Sequence, residues 1–203
     1  LARRARLIPP ARVSVATWLD QNRVLPRGYP APVTGPWQTS RTPYLREPLD
    51  SFADPEVETI VLMFSSQIAK TEFILGTLLY AYAVDPAPGM IVLPTLKVMG
   101  DFSKDRLMPS IRGVSSLKMG ASATRDPEGA IMHKRINQST LIAGAANSPA
   151  GLSSYPVQNL WCDEIDRWPA TTAEGDPLFL ARQRTEAFRR RKILLTSTAT
   201  ILG

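Results

Sequence analysis

The stretch from Glu58 to Glu72 constrains this chain more than any other. Ile60-Val61-Leu62-Met63-Phe64 is apolar and β-branched, as a buried strand requires. Ser65-Ser66-Gln67-Ile68-Ala69 is a small polar loop, and Lys70-Thr71 follows it. Phe73, Ile74, Leu75, Leu78, Leu79 and Tyr82 then recur at helical spacing. Strand, loop, Lys-Thr, helix is the layout of a phosphate-binding loop. Backbone N–H groups and the positive helix end hold phosphate oxygens in such a loop. Lys70 would meet the β/γ-phosphate charge, and Thr71 would ligate Mg²⁺. Phe64 and Ala69 stand where the pattern G-x-x-x-x-G-K-[ST] has its glycines. Loops of this kind need positive φ, which glycine adopts freely. The Cβ of Ala69 therefore implies either a less favoured backbone or a looser cradle. On this stretch alone, a nucleotide site and an ordinary strand–helix connection fit equally.

Length and charge narrow the choice. A chain of 203 residues with 44% hydrophobic content can bury the core of one sizeable α/β domain. The formal net charge of +6 favours a polyanionic partner, nucleic acid or nucleotide phosphate, and charge alone leaves a generic basic surface open. Cys162 is the only cysteine, so no internal disulfide forms, and a reducing, intracellular setting fits. No apolar run is long enough to span a bilayer. Arg3, Arg4 and Arg6 lead into Pro9-Pro10, which is not a secretory signal. The absence of an initiator Met, and the stop at Gly203 just after an apolar run, suggest a piece of something longer.

Residues 1–12 read as a mobile basic arm, and 13–203 as one domain. Val13 to Leu25 predicts a helix capped by Ser14. Pro26 to Pro36 reads as a loop, and Tyr44 to Phe52 as a helix. Met90 to Leu93 predicts a strand and Val98 to Ile111 a helix. A polar stretch runs on to Gly129. Ile131 to Ile136 and Thr140 to Ala143 predict a hairpin around Asn137-Gln138. Val157 to Cys162 predicts a buried strand, Leu178 to Arg189 a basic helix, and Lys192 to Leu195 the last strand. Alternation of strands and helices implies a mainly parallel sheet with helices on both faces.

Two further segments carry candidate chemistry. Val157 to Cys162, ending in Asp163-Glu164, has the form of a Walker B element. Its carboxyl end would present both acids at the ligand crevice of an α/β sheet. Asp163 would then share the Mg²⁺ shell with Thr71, and Glu164 would polarise the water that attacks the γ-phosphate. Two exposed acids closing a strand are the plainer alternative. Ile193 to Thr200 is a strand running into a hydroxyl-rich loop. Thr196 or Ser197 would bond the attacking water or link the site to moving parts. A strand end closed by Ser/Thr turns explains the same residues. His133 stands alone, so there is no zinc cluster, and Cys162 reads as a core residue. Arg182, Arg184, Arg189, Arg190 and Arg191 would track DNA phosphates or form a solvated helix face.

Together these motifs resemble the N-terminal ATPase domain of the large terminase subunit of tailed bacteriophages, lambda-like type. The resemblance runs from about Val13 to Gly203. It is carried by Trp37 to Pro48, Ser65 to Glu72, Asp85-Pro86-Ala87-Pro88, Pro94-Thr95, Phe102 to Arg106, Gly144 to Leu152, Asp163 to Arg167 and Leu195 to Thr198. It implies an ASCE-type P-loop fold and a motor that spends ATP, with Mg²⁺, to move double-stranded DNA into a procapsid. Implied partners are a small terminase subunit, the portal and further copies in a ring, in the host cell cytoplasm. A C-terminal nuclease domain would lie outside this chain. Ser65, Ser66, Gln67, Ile68, Ala69, Lys70, Thr71 and Glu72 correspond to the nucleotide-contacting run. Tyr44 corresponds to an aromatic on adenine, with Gln38 and Arg46 nearby, although packing of its short helix explains Tyr44 as well. Some relatives carry an arginine in the loop, where this chain has Gln67. The missing charge would then come in trans, with Arg106, Arg167, Arg182 and Arg184 as candidates, and an isolated monomer would turn over slowly. A helicase-like translocase, or a DNA- or partner-binding module with an eroded loop, are the alternatives.

Overall fold

A computed structural model describes residues 13–120, 132–153 and 155–198. The arm expected at 1–12, most of the stretch leading to Gly129, and the residues from 199 onward lie outside the described residues.

Hydrophobic alternation builds the frame. The central sheet has six strands: β3 (Thr59–Met63), β4 (Gly89–Leu93), β5 (His133–Ile136), β6 (Ser139–Ala145), β7 (Asn159–Cys162) and β8 (Lys192–Ser197). Their spatial order is β3-β8-β7-β4-β6-β5, parallel except for the β5–β6 pair. β8 thus separates β3 from β7, which is the additional strand expected of an ASCE-type sheet. Side chains along each strand point to opposite faces. Ile91, Leu93, Leu141, Ala143, Trp161 and Leu194 join one core, and Met90, Val92, Ile142, Leu160, Cys162 and Ile193 the other.

Helices α1 (Val15–Asn22), α2 (Arg46–Ala53), α3 (Lys70–Val84), α4 (Leu96–Phe102) and α5 (Met108–Arg112) contribute to the first core. The short α6 (Pro149–Leu152) and α7 (Pro177–Gln183) cover the second. Trp161 anchors the larger core. Its ring stacks on Phe52 and Tyr82, and its indole N–H donates to Thr77 Oγ1 at 3.0 Å. Gly89 has no side chain because a Cβ there would lie 2.7 Å from the Trp161 ring.

Several boundaries move from the sequence expectation. α1 ends at Asn22, and a two-stranded ladder of β1 (Val24–Leu25) with β2 (Gly35–Pro36) closes the expected Pro/Gly loop. The helix expected over 98–111 is broken by a wide π turn at Ser103–Leu107. Pro109 accounts for it: proline donates no N–H, and its ring crowds the carbonyl four residues back, here that of Asp105. The hairpin turns at Asn137 and Gln138, both at positive φ (45° and 67°). The Asn137 amide donates to Tyr82 O and Ser116 O and accepts from Lys118 N.

The basic helix expected over 178–189 stops at Gln183. The Thr185 hydroxyl donates to Arg182 O at 2.7 Å, and the Arg184 carbonyl accepts from Val157 N at 2.9 Å, so the chain turns there toward β7. Arg184 is partly buried and donates to Ser153 O, and Arg191 pairs with Glu58. Of the five arginines expected along one helix, only Arg182 lies within α7. No helix among them is long and apolar enough to cross a membrane.

Candidate nucleotide site

The loop from Ser65 to Ala69 joins the carboxyl end of β3 to the first turn of α3. Ala69 takes the left-handed conformation (φ 62°, ψ 25°), and Gln67 does the same (φ 61°). The loop therefore has the positive-φ backbone for which glycine is the usual choice, built from residues that carry Cβ atoms. Ser65, Ser66 and Gln67 are exposed, and Ile68 is half-buried. Lys70 is buried, and its ammonium donates to the carbonyls of Phe64 (3.1 Å) and Ser65 (2.6 Å). The cation thus sits inside the curve of the loop. Phe64 N donates to Ser197 O at 3.2 Å, which fixes the base of the loop to β8.

Across β8, the end of β7 brings up the acids. Asp163 is buried and accepts hydrogen bonds from Glu164 N at 2.9 Å, from Thr71 Oγ1 at 3.4 Å and from Thr196 Oγ1. Burial pushes its carboxyl above the ordinary carboxylate range, opposed by those donors and by the charge of Lys70. Glu164 follows at φ 52° and ψ 46°, a left-handed non-glycine residue at the mouth of the crevice. Its carboxyl is also raised, first by burial, while Arg167 and Lys70 pull it down. Arg167 Nη1 lies 3.3 Å from Glu164 Oε2. The ammonium of Lys70 is close enough to favour the charged form of both acids, the smallest of the influences on each.

Thr196 is fully buried, and its hydroxyl is committed to Asp163. There it orients a carboxylate of the candidate site. Ser197 Oγ and Thr198 N both donate to Asp166 Oδ1, at 3.2 and 3.0 Å. The third motif thus clasps the turn that follows β7. Tyr44 is 48% exposed and sets its ring edge against Phe64, centroids 6.1 Å apart. It stands beside the root of the loop, exposed to solvent.

Glu72, the last residue of the expected nucleotide-contacting run, turns into a buried network. Its carboxylate is buried, ion-paired with Arg23 and hydrogen-bonded by Tyr29 Oη at 2.9 Å. Arg23 in turn lies 4.8 Å over the ring of Trp37. Burial, with the nearby Glu72 charge, pushes the Tyr29 phenol up to about 12. Sequence reasoning missed this network, because no local pattern pairs Arg23 with a residue so far along the chain. Of the four candidate arginines, Arg106 lines the cleft and Arg167 holds Glu164. Arg184 is held by Ser153 O, and Arg182 is exposed on α7. Burial pushes the Cys162 thiol up, which makes it an inert core group.

A cleft of ≈ 710 Å³ opens at these groups. Thr71, Asp163 and Glu164 line one side, and Phe102, Lys104 and Arg106 are among the residues lining the rest. Hard oxygen donors beside a backbone cradle suit Mg²⁺ and a polyphosphate. Among the described residues no group of three His, Cys, Asp or Glu side chains forms a metal cage.

Comparison with known proteins bears on the family and the fold. The family model of the phage terminase large subunit gpA ATPase domain matches residues 31–203. No curated protein sequence matches the chain. Among solved structures, the large terminase of bacteriophage HK97 is similar with a TM-score of 0.59 at 11% identity, covering 91% of this chain and 37% of that one. The large terminase ATPase domain of Thermus phage P74-26 gives 0.53 at 14% identity, covering 72% and 61%. The large terminase of another, thermophilic bacteriophage gives 0.51 at 12% identity, covering 72% and 34%. The chain thus spans between 34% and 61% of the length of these structures, and the likeness is one of fold. The P-loop sheet and the extent of the family match lead to one conclusion: the chain belongs to the family of phage terminase large subunit gpA ATPase domains.

Proposed function

We propose that this domain binds ATP with Mg²⁺ in the cleft, hydrolyses it, and uses the turnover to drive double-stranded DNA into a procapsid. The observation that carries the reading is the hydroxyl of Thr71 meeting the carboxylate of Asp163 at 3.4 Å, with Thr71, Asp163 and Glu164 lining one cleft at the end of the loop that carries Lys70. Thr71 and Asp163 would hold Mg²⁺, which supplies charge neutralisation on the phosphate oxygens. Lys70 exchanges the carbonyls of Phe64 and Ser65 for phosphate oxygens of the substrate. Glu164, its carboxyl raised by burial, orients and polarises the attacking water. Ser65 to Ala69 wrap the phosphates with their N–H groups, and the exposed ring of Tyr44 suits a nucleobase. Thr196 keeps Asp163 in register for the metal.

Within a packaging assembly the small terminase subunit, the portal and neighbouring copies of this chain would be the partners, in the host cytoplasm. Slow turnover by the isolated monomer is the outcome expected if a neighbouring copy supplies the charge that the loop lacks. The test is steady-state hydrolysis together with thermal melting in Mg²⁺-ATP. Ligand at a hundred times its Kd raises stability by about 2.7 kcal/mol. Glu164→Gln is expected to keep that shift and lose turnover, and Lys70→Ala to lose both. No shift for the wild type at millimolar ATP would favour a nucleotide-free binding module.

A further inference from the structure

Arg106 lies on the π turn Ser103–Leu107, where the wider winding places its side chain on the cleft wall. That side chain is 34% exposed, and its Nη1 reaches Glu72 Oε1 at 3.4 Å, the long end of hydrogen bonding. Glu72 has no need of it. Arg23, whose side chain is fully buried, already neutralises the carboxylate and also donates to the Glu72 carbonyl at 3.3 Å. Tyr29 occupies the same Oε1 at 2.9 Å. One carboxylate therefore serves two guanidinium groups, and the outer one is weakly held.

The charge balance of the cleft points the same way. The loop from Ser65 to Ala69 has no cationic side chain, so Lys70 is the only cation the loop segment itself offers to a polyphosphate. Of the cations lining the cleft, Lys104 is an exposed ammonium, whereas Arg106 is half-buried and already oriented by Glu72. A guanidinium binds phosphate oxygens through two parallel donors, which an ammonium cannot do. Arg167 is committed to Glu164.

We infer that Arg106 is parked on Glu72 and transfers, within the same subunit, to the terminal phosphate of a nucleoside triphosphate bound in the cleft. The inference rests on the nucleotide site proposed above and gives that site a triphosphate-sensing residue. Glu72, next to Thr71, is then the holding partner and makes no contact with nucleotide.

The experiment uses wild type, Arg106→Ala and Arg106→Lys, shown to be monomeric by gel filtration at the working concentration. Calorimetry measures the affinity for ADP and for a non-hydrolysable ATP analogue, each with Mg²⁺. Loss of a charge-assisted phosphate contact predicts analogue binding weakened by about 10- to 100-fold in Arg106→Ala, with ADP binding unchanged. Arg106→Lys is expected to recover part of the loss. Equal weakening for both nucleotides, or none for either, overturns the inference. So does normal binding by the monomer with a defect only in the oligomer, because that places the arginine in trans. Wild type that binds neither nucleotide would instead bring down the nucleotide site itself. Should Arg106→Ala not fold, Arg106→Gln keeps the stem and reads out the same difference.

Discussion

Ala69 occupies a backbone state in which an L side chain costs about 1–2 kcal/mol relative to glycine. Ala69→Gly is expected to stabilise the domain by about 1 kcal/mol without loss of Mg²⁺-ATP binding. That corresponds to a rise in Tm of about 2–4 °C, readable by differential scanning fluorimetry. An unchanged or lower Tm would mean that the flexibility gained by the unfolded chain outweighs the relief. Asp163 raises a different issue, because its carboxyl is held above the ordinary range by burial. An acid whose folded pKa exceeds its unfolded pKa contributes stability that is complete below the unfolded value. That contribution is lost as pH rises through the folded value. Without metal, the ionised carboxylate is therefore a burden at neutral pH. Asp163→Asn keeps the shape and can still bond Thr196, Thr71 and the Glu164 N–H. In chelator, its Tm advantage over wild type is expected to widen from acid to neutral pH, while Mg²⁺-dependent nucleotide binding is lost. A gap independent of pH would contradict this assignment. At this scale the sequence singled out the candidate residues and not which way they face. Lys70, Thr71, Asp163 and Glu164 stood out by type and order. The turning of Thr196 inward to Asp163, and of Glu72 to Arg23, depends on long-range packing that local pattern does not encode.

Among the elements, those with a strong period were legible and those ended by local hydrogen bonds were not. β4, β7 and β8 read directly from short apolar runs, and the hairpin from Asn137-Gln138. The split of the 98–111 helix follows from Pro109, whose effect falls on the turn before it rather than on its own position. The early end of α7 follows from the Thr185 hydroxyl and the pairing of Arg184 with Val157, neither visible as a breaker. The junction of α3 with the sheet is tight enough for a sharp test. A Cβ on Gly89 would lie 2.7 Å from the Trp161 ring and 2.9 Å from Tyr82 Oη. Both neighbours are large rings already stacked on each other. Gly89→Ala is expected to destabilise the domain by about 1–3 kcal/mol, read as a lower urea midpoint at unchanged slope. An unaltered midpoint would show that β4 can shift away from Trp161 without penalty.

For the whole molecule, alternation of strand and helix was sufficient for the architecture, and the family match extends it. The strand order needed more than pattern. A sequence does not say that the last described strand inserts between the strand bearing the loop and the strand bearing the acids. The structure has it so, and leaves β3 at the edge with Val61 and Met63 exposed at 64% and 71%. The tip of β8 consequently touches every moving part of the proposed reaction. Ser197 O receives Phe64 N at the root of the loop, Thr196 steadies Asp163, and Ser197 and Thr198 grip Asp166. A displacement of this single strand end would retune phosphate grip, metal geometry and water activation in one stroke. Any mechanical load reaching it from elsewhere in a longer protein would be felt by all three as a common throttle.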